Sequence, residues 1–181
     1  MSDQSPEKLV PELLSKEGFS AYGDVIELSG KEPVVINSGN CFRYSDLAAL
    51  DICDSGGAGI SLFDATAYTN PLNLTYVERH PLGSQAFLPT SNDPYLVIVA
   101  DDNNNEAMRP KVFITSGYQG VNYRRNTWHG VLTPIVKQSL FVVVDYIGDG
   151  NNLEEFVFSK PYTVDFSSLK PRLPPTDESG K

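Results

Sequence analysis

The sequence predicts an all-β protein, a sandwich or barrel built from short strands. Its apolar runs are short and rich in β-branched and aromatic residues, and turn formers separate them, for example at 55–57, 91–94 and 148–152. No βαβ alternation and no internal repeat is visible. After residue 25, only 45–52 carries a pattern compatible with a helix. Short strands at regular spacing with Gly, Asn and Pro between them are typical of antiparallel sandwiches and barrels.

The predicted elements begin with a short N-terminal helix. Residues 1–9 are predicted to be flexible, and a helix can begin near Pro6 or Pro11. Ser15 can cap a turn that continues through Phe19. Strand patterns follow Gly23, and they are listed here in chain order: 24–28, 33–37, 41–44, 60–63, 72–80, 86–88, 95–100, 112–115, 140–147, 156–158 and 162–164.

One domain accounts for these elements, over residues 10–166, and a proline-rich tail follows at 167–181. A chain of 181 residues with 40% hydrophobic and 20% charged residues is long enough to bury one core and short for two. Residues 170–175 are predicted to form an extended strap or a disordered terminus.

The charge of the chain excludes two classes of partner. A net charge of −9 repels phosphate backbones and anionic lipids, so neither nucleic acid nor a membrane is expected to bind. No apolar run has the length of a membrane span, and the N-terminus lacks the apolar core of a secretory signal. Cys41 and Cys53 are too few for a disulfide framework, so a cytoplasmic location is predicted.

The two histidines of the chain lie in dense polar-aromatic segments, at 76–89 and 120–130. If 74–80 is a strand, Glu78 and His80 share one face and Arg79 points to the other, where a structural or subunit-contact role is expected. The turn at 81–84 then brings Gln85 back beside Glu78 and His80. A carboxylate and an imidazole so placed can both reach one substrate or one metal ion.

The spacing Glu78-x-His80-x4-Gln85 resembles the first motif of the cupin superfamily, and Asn126-Thr-Trp-His129 stands where its second motif has Gly-x-x-His. This resemblance implies a cupin-like antiparallel jelly-roll barrel. It also implies that Glu78, His80, Gln85 and His129 occupy the four positions of the metal ligands. Such a mixed set suits Ni(II), Zn(II) or Mn(II). Glutamate replaces one usual histidine and a carboxamide is a weak ligand, so the residues leave open whether a metal is required.

Four strings carry a closer resemblance: FSAYGDVIE from residue 19, INSGNCFRYSDL from 36, ERHPLGSQAFLP from 78 and GVNYRRNTWHGVLTPI from 120. They resemble the ureidoglycolate lyase family, in the right order and from about residue 19 to 165. The resemblance implies a purine-catabolic enzyme that splits ureidoglycolate into glyoxylate and urea, and a homodimer. No glycine-rich nucleotide motif occurs, so no organic cofactor is expected.

This reaction needs a base, an acid and groups that hold the substrate. Glu78, His80 and His129 are the candidate catalytic residues, since burial and neighbours can bring their pKa values toward neutrality. Four of the six arginines lie in the motif segments. Arg43, with Arg125, is the candidate for the substrate carboxylate. Asn37, Gln85 and Tyr123 are candidates for the urea amide and the hydroxyl.

Other interpretations remain open on the sequence. Glu78 can be structural if an arginine pairs with it, Arg43 can pair with Asp46 or Asp24, and Trp128 suits a pocket wall or the core. At the level of function, the alternatives are a non-catalytic cupin module that binds a small organic acid, and another metal-dependent cupin enzyme such as a sugar-nucleotide epimerase or an oxidase.

Overall fold

The computed structural model describes residues 5–28 and 30–169. Among them are one α-helix, α1 (Lys16–Phe19), and one 3-10 helix (Asn37–Gly39). The strands are β1 Glu7–Leu9, β2 Glu12–Leu13, β3 Gly23–Ile26, β4 Val34–Ile36, β5 Cys41–Arg43, β6 Gly56–Ala65, β7 Leu72–Arg79, β8 Gln85–Pro89, β9 Tyr95–Ala100, β10 Asp102–Asn103, β11 Glu106–Ala107, β12 Lys111–Ile114, β13 Gly120–Tyr123, β14 Trp128–His129, β15 Thr133–Pro134, β16 Ser139–Gly148 and β17 Glu154–Val164.

Two sheets form the body of the protein. The large sheet has the order β1-β17-β7-β14-β9-β12-β2, with β15 also paired to β9, and the small sheet has the order β3-β13-β8-β16-β6. Most neighbours in these sheets are antiparallel and distant in sequence. β10–β11 and β4–β5 are separate hairpins. The prediction of an all-β, cupin-like fold is confirmed, and so is the short helix: Ser15 caps α1 by accepting a hydrogen bond from the Gly18 N–H at 3.1 Å.

Strand β9 of the large sheet places its side chains alternately in two apolar clusters. Leu96, Ile98 and Ala100 of β9 belong to one cluster, with Val77 and Trp128 of the same sheet. The alternate residues of β9, listed with their partners from both sheets, form the other: Tyr95, Val97, Val99, Phe113, Phe87, Val121, Phe141 and Val143. β9 is therefore buried on both faces, which explains its continuous apolar run. The second cluster fills the space where the two sheets face each other.

The N-terminal segment differs from its prediction as a flexible end. β1 pairs in parallel with β17, and β2 pairs in parallel with β12, with only Val10 and Pro11 between β1 and β2. Since β1 and β2 are the two edges of the large sheet, this short link joins one edge to the other. Leu9 is 3% exposed. Burial of Leu9 and pairing with a strand about 150 residues later stabilise a segment that looks unstructured on its own.

Other elements differ in extent. The two predicted strands at 156–158 and 162–164 are parts of the single strand β17, which carries an irregularity between Val157 and Tyr162. Residues 45–52 form no helix, and Asp46 has a φ of 56°. The proline-rich residues 170–175 lie outside the described residues. No helix within 5–28 and 30–169 is long and apolar enough to cross a bilayer.

Candidate active site

Strand register brings Glu78, His80 and His129 together. β14 lies between β7 and β9, and His129 pairs directly with Glu78 on one side and with Val99 on the other. Directly paired residues project from the same face of a sheet, so Glu78 and His129 both face the small sheet. His80 follows β7 by one residue. One ligand atom from each of Glu78, His80 and His129 lies within 4.8 Å of the others.

Asn126 sets up the approach of His129. Its φ is 65°, in the left-handed region that asparagine tolerates better than most residues. The Asn126 N–H donates to the His80 carbonyl at 3.0 Å, which fixes the turn before β14 to the end of β7. This backbone bond ties the two histidine segments to one another.

Both imidazoles are oriented by backbone carbonyls. His80 Nδ1 lies 2.6 Å from the carbonyl oxygen of Asn152, and His129 Nδ1 lies 3.0 Å from that of Gly130. A carbonyl oxygen only accepts, so Nδ1 carries the proton in each ring and Nε2 is left with a lone pair. Both Nε2 atoms are buried and have no hydrogen-bond partner among the described residues.

Burial sets the charge state of this group. It lowers the pKa of His129 to about 3, with the nearby His80 acting in the same direction. Burial also raises the pKa of Glu78; the Glu155 carboxylate adds to this shift and His80 opposes it. His129 is therefore a neutral imidazole at physiological pH, and Glu78 holds a proton at higher pH than an exposed glutamate does.

Tyr123 covers the ring of His129. The two rings are stacked with centroids 4.2 Å apart and an interplanar angle of 8°. Burial raises the pKa of the Tyr123 phenol, with Glu78 contributing, so this hydroxyl stays protonated. Tyr123 therefore offers a hydrogen-bond donor and a rigid wall beside the site.

The sides of β7 and β14 that point away from the site carry a polar cluster, called the brace below, which consists of Arg79, Asp102, Glu154 and Trp128. The Arg79 guanidinium lies 4.3 Å from the Trp128 ring centroid and forms ion pairs with Glu154 at 2.6 Å and Asp102 at 3.0 Å. Trp128 donates from Nε1 to Asp102 at 2.8 Å and belongs to the core cluster. This geometry agrees with the structural role expected for Arg79, and it gives Trp128 a core role.

A cavity of about 360 Å³ opens between the two sheets beside Glu78. Its lining residues are Phe63, Asp64, Ala65, Glu78, Gln85, Phe87, Val131 and Leu132. Gln85 reaches it from the small sheet, opposite Glu78. Its Nε2 donates to Asp145 at 3.1 Å, and its Oε1 is buried without a partner among the described residues. The space suits a small ligand with hydrogen-bond donors.

Three predicted substrate-binding residues lie elsewhere. Asn37 and Arg43 are exposed on the β4–β5 hairpin, and neither lines the cavity. Arg43 forms none of the ion pairs within the described residues, so the predicted pairs with Asp24 or Asp46 are not present. Arg125 is held by Asp51 through Nε at 3.1 Å and Nη2 at 3.0 Å.

Sequence reasoning missed two residues that hold the site in place. Asn152 supplies the carbonyl that orients His80, and its side-chain Oδ1 accepts from the Leu82 N–H at 2.7 Å. A backbone carbonyl in a loop leaves no signal in the sequence. Asp145 did leave one, because it is an acid inside the apolar run of β16.

The three converging residues fit a divalent cation. Two imidazole lone pairs and a carboxylate are the ligand types that nickel, zinc and manganese accept in proteins. The two buried Nε2 atoms have no partner among the described residues, which costs free energy that a bound cation would offset. Glu78, His80 and His129 thus form a group that could hold a metal ion.

Comparisons with known proteins agree on one family. The family model described as ureidoglycolate lyase matches residues 6–165. The chain is 50% identical to a ureidoglycolate lyase of Rhodobacter capsulatus over 88% of this chain and 99% of that protein. It is 47% identical to a ureidoglycolate lyase of Chelativorans sp. strain BNC1, over 87% and 96% respectively.

Among solved structures, a dTDP sugar isomerase from Desulfovibrio desulfuricans G20 is similar with a TM-score of 0.41 and 14% identity, over 73% of this chain and 82% of that chain. That similarity is too distant to carry an argument. The family match spans every strand described above and both histidine segments. The chain therefore belongs to the ureidoglycolate lyase family.

Proposed function

We propose that the protein cleaves ureidoglycolate into glyoxylate and urea. The observation that carries the proposal is the convergence of Glu78, His80 and His129 beside a small cavity, in a chain about half identical to proteins named for this reaction. The substrate carries a hydroxyl, a carboxylate and a ureido nitrogen on one carbon. Cleavage moves the hydroxyl proton to the departing nitrogen while the carbon–nitrogen bond breaks and a carbon–oxygen double bond forms.

Glu78 is the group best placed to carry that proton. Because burial raises its pKa, it is a better base and acid near neutral pH than an exposed glutamate. Glu78 takes the proton from the hydroxyl and returns it to the ureido nitrogen, which is bonded to the same carbon as the hydroxyl. His129 is neutral and donates its Nδ1–H to the Gly130 carbonyl oxygen, so it has no proton free to act as the acid.

A metal ion fits the same residues. Glu78, His80 and His129 would hold it, with Gln85 as the fourth candidate, and nickel, zinc and manganese suit this ligand set. Such an ion, when bound, would supply electrostatic stabilisation of the substrate hydroxyl oxygen and would lower the pKa of that hydroxyl. The backbone carbonyls of Asn152 and Gly130 keep both Nε2 lone pairs available for this role.

Substrate contacts follow from the cavity. Gln85 lines it, and Tyr123 presents its phenol beside His129. Arg43 is the candidate for the carboxylate among the predicted residues, because Arg125 is already engaged by Asp51. Arg43 and Asn37 lie on the exposed hairpin, so their contribution requires that the hairpin approach a cavity opening.

We infer a cytoplasmic homodimer. The two cysteines are unpaired, as in proteins of reducing compartments. Edge strand β6 exposes Ile60 and Leu62, and a long apolar edge is a surface that natural proteins cover. Sedimentation equilibrium of the purified chain measures the dimer directly, and a monomer at micromolar concentration would contradict it.

The decisive experiment is a urea and glyoxylate assay on purified protein. Equal amounts of the two products are expected from ureidoglycolate. Treatment with a chelator removes activity if the metal is required, and nickel, zinc or manganese restores it. Binding of glyoxylate without release of urea would instead identify a non-catalytic module.

A further inference from the structure

A row of polar side chains crosses the small sheet under the cavity. Tyr123 of β13 pairs with Gln85 of β8, and Asp145 of β16 lies one residue beyond the pair Val144–Ala86. Tyr123, Gln85 and Asp145 thus occupy neighbouring positions on three adjacent strands. Of these three residues, only Gln85 lines the cavity, which Glu78 lines from the large sheet.

Asp145 fixes the orientation of the Gln85 carboxamide. An ionised carboxylate only accepts hydrogen bonds, so it pairs with the NH₂ end of the amide, as the 3.1 Å contact from Nε2 shows. The carbonyl end, Oε1, then points away from Asp145. Gln85 is 6% exposed and its Oε1 has no partner among the described residues.

The atoms around the site share one hydrogen-bonding character. Gln85 Oε1, His80 Nε2 and His129 Nε2 are buried acceptors for which residues 5–28 and 30–169 supply no partner, and Glu78 adds a carboxyl group. A cation held by Glu78, His80 and His129 would use the Nε2 lone pairs of the two histidines. Gln85 approaches from the facing sheet, where an N–H donor of a ligand would satisfy its carbonyl oxygen.

We propose that Asp145 is a specificity-determining positioning residue: it fixes Gln85 with its carbonyl toward the cavity, so that the site selects ligands with a terminal carbamoyl NH₂. This inference rests on the proposed function and names the substrate group that Gln85 recognises. Asp145 acts through Gln85 and does not itself touch the reacting atoms.

The test compares two ligands that differ only in that group. N-carbamoylglycine ends in NH₂ and N-acetylglycine ends in CH₃ at the same position, and neither has the hydroxyl needed for cleavage. By calorimetry, the wild-type protein is expected to bind N-carbamoylglycine at least about tenfold more tightly, because the methyl group leaves Oε1 unpaired. Asp145→Asn allows the Gln85 amide to turn over, and the ratio of affinities should fall toward one.

Three further measurements separate positioning from a merely structural role. With ureidoglycolate, Asp145→Asn should raise KM about tenfold and leave kcat within about threefold, since the carbonyl acts in binding. In a Gln85→Leu background, Asp145→Asn should change nothing further. Asp93→Asn removes a carboxylate that does not line the cavity, one bonded to Ser91 and paired with Lys137, and should keep the ligand ratio of the wild type.

Several outcomes overturn the inference. They are an unchanged ligand ratio in Asp145→Asn, an additional effect in the Gln85→Leu background, and loss of bound metal in Asp145→Asn, which would assign Gln85 to the metal. If Asp145→Asn does not fold, Gln85→Leu alone must abolish the preference, and a retained preference refutes the idea. Preference for N-carbamoylglycine without urea release defeats the proposed function and leaves this inference standing.

Discussion

Glu78 occupies an environment that changes its chemistry. It lies at the cavity wall, between an apolar core and two imidazoles, and Glu155 is its direct cross-strand partner on β17. Desolvation favours the protonated carboxyl, and the negative charge of Glu155 favours it further. Of the two paired glutamates, Glu155 is exposed, whereas burial raises the pKa of Glu78.

Replacing Glu78 with Gln should lower kcat by about 10²–10⁴, the usual contribution of a general acid–base group. Glutamine keeps the shape of the side chain but cannot exchange a proton. Thermal unfolding should remain cooperative, because the substitution removes a buried ionisable group without creating a void. Initial rates of urea release, together with a melting curve, test both statements.

Glu155→Gln is the matched control for that substitution. It alters the exposed partner of the same strand pair and is expected to leave kcat within about threefold. Equal losses in the two variants would show that the pair acts structurally and that Glu78 has no special role.

At the scale of elements, β7 divides two tasks between the faces of one strand. Glu78 and the following His80 serve the site, while Arg79 between them braces the outer face against β17 and the β10–β11 hairpin. The Arg79 side chain is 11% exposed, whereas its carboxylate partners are 43% and 42% exposed. Arg79 also lies over Trp128, which precedes His129, so the brace holds both strands of the site.

Arg79→Met should lower the free energy of unfolding by about 2 kcal/mol, because it leaves Asp102 and Glu154 without their cation and removes the contact with Trp128. Urea denaturation followed by Trp128 fluorescence measures it. Arg109→Met breaks the exposed ion pair with Glu7 and should cost less than about 0.5 kcal/mol. A similar loss in both variants would contradict the brace.

The sequence predicted those parts of the site that depend on local pattern. Alternation along β7 placed Glu78 and His80 together, and the spacing of the two motifs predicted that His129 joins them. Contacts between distant segments escaped it. Arg125 was predicted to bind substrate. In the structure, 45–52 folds back onto the turn before β8, where the Asp51 N–H donates to Ser84 Oγ at 2.9 Å. Asp51 there forms an ion pair with the Arg125 guanidinium.

The strands followed the same rule. β9 was predicted with its correct limits, because its continuous apolar composition requires burial. β1 and β14 were not predicted, since each has two or three residues and is stabilised only by partners far along the chain. Short strands of this kind depend on tertiary pairing more than on propensity.

For the whole molecule, the buried histidine links stability to pH. The pKa of His129 is about 3 in the folded protein and about 6.5 when unfolded. The unfolded chain therefore binds the proton first as the pH falls. The stabilisation is complete above pH 6.5 and is lost progressively down to about pH 3, by at most about 1.4 kcal/mol per pH unit. Glu78 has the opposite effect on stability at pH values just above its ordinary pKa. Its pKa is raised in the folded protein, so the folded protein binds this proton first as the pH falls.

Measuring the effect requires that the opposing group be removed. In the Glu78→Gln background with a chelator present, the free energy of unfolding should fall steadily from pH 6.5 to pH 4. Adding His129→Gln should flatten that slope. Denaturant titrations at several pH values test it, and parallel slopes in the two proteins would refute the assignment.

The pairing of β1 with β17 has a consequence for how the protein is made. β17 ends at Val164, and its residues 162–164 receive the segment Glu7–Leu9. On the ribosome, the first strand must wait without its neighbour until residues 162–164 have been translated. Closure of the large sheet is thus a late event, and until then the nascent chain exposes Leu9 and the edge that it later covers.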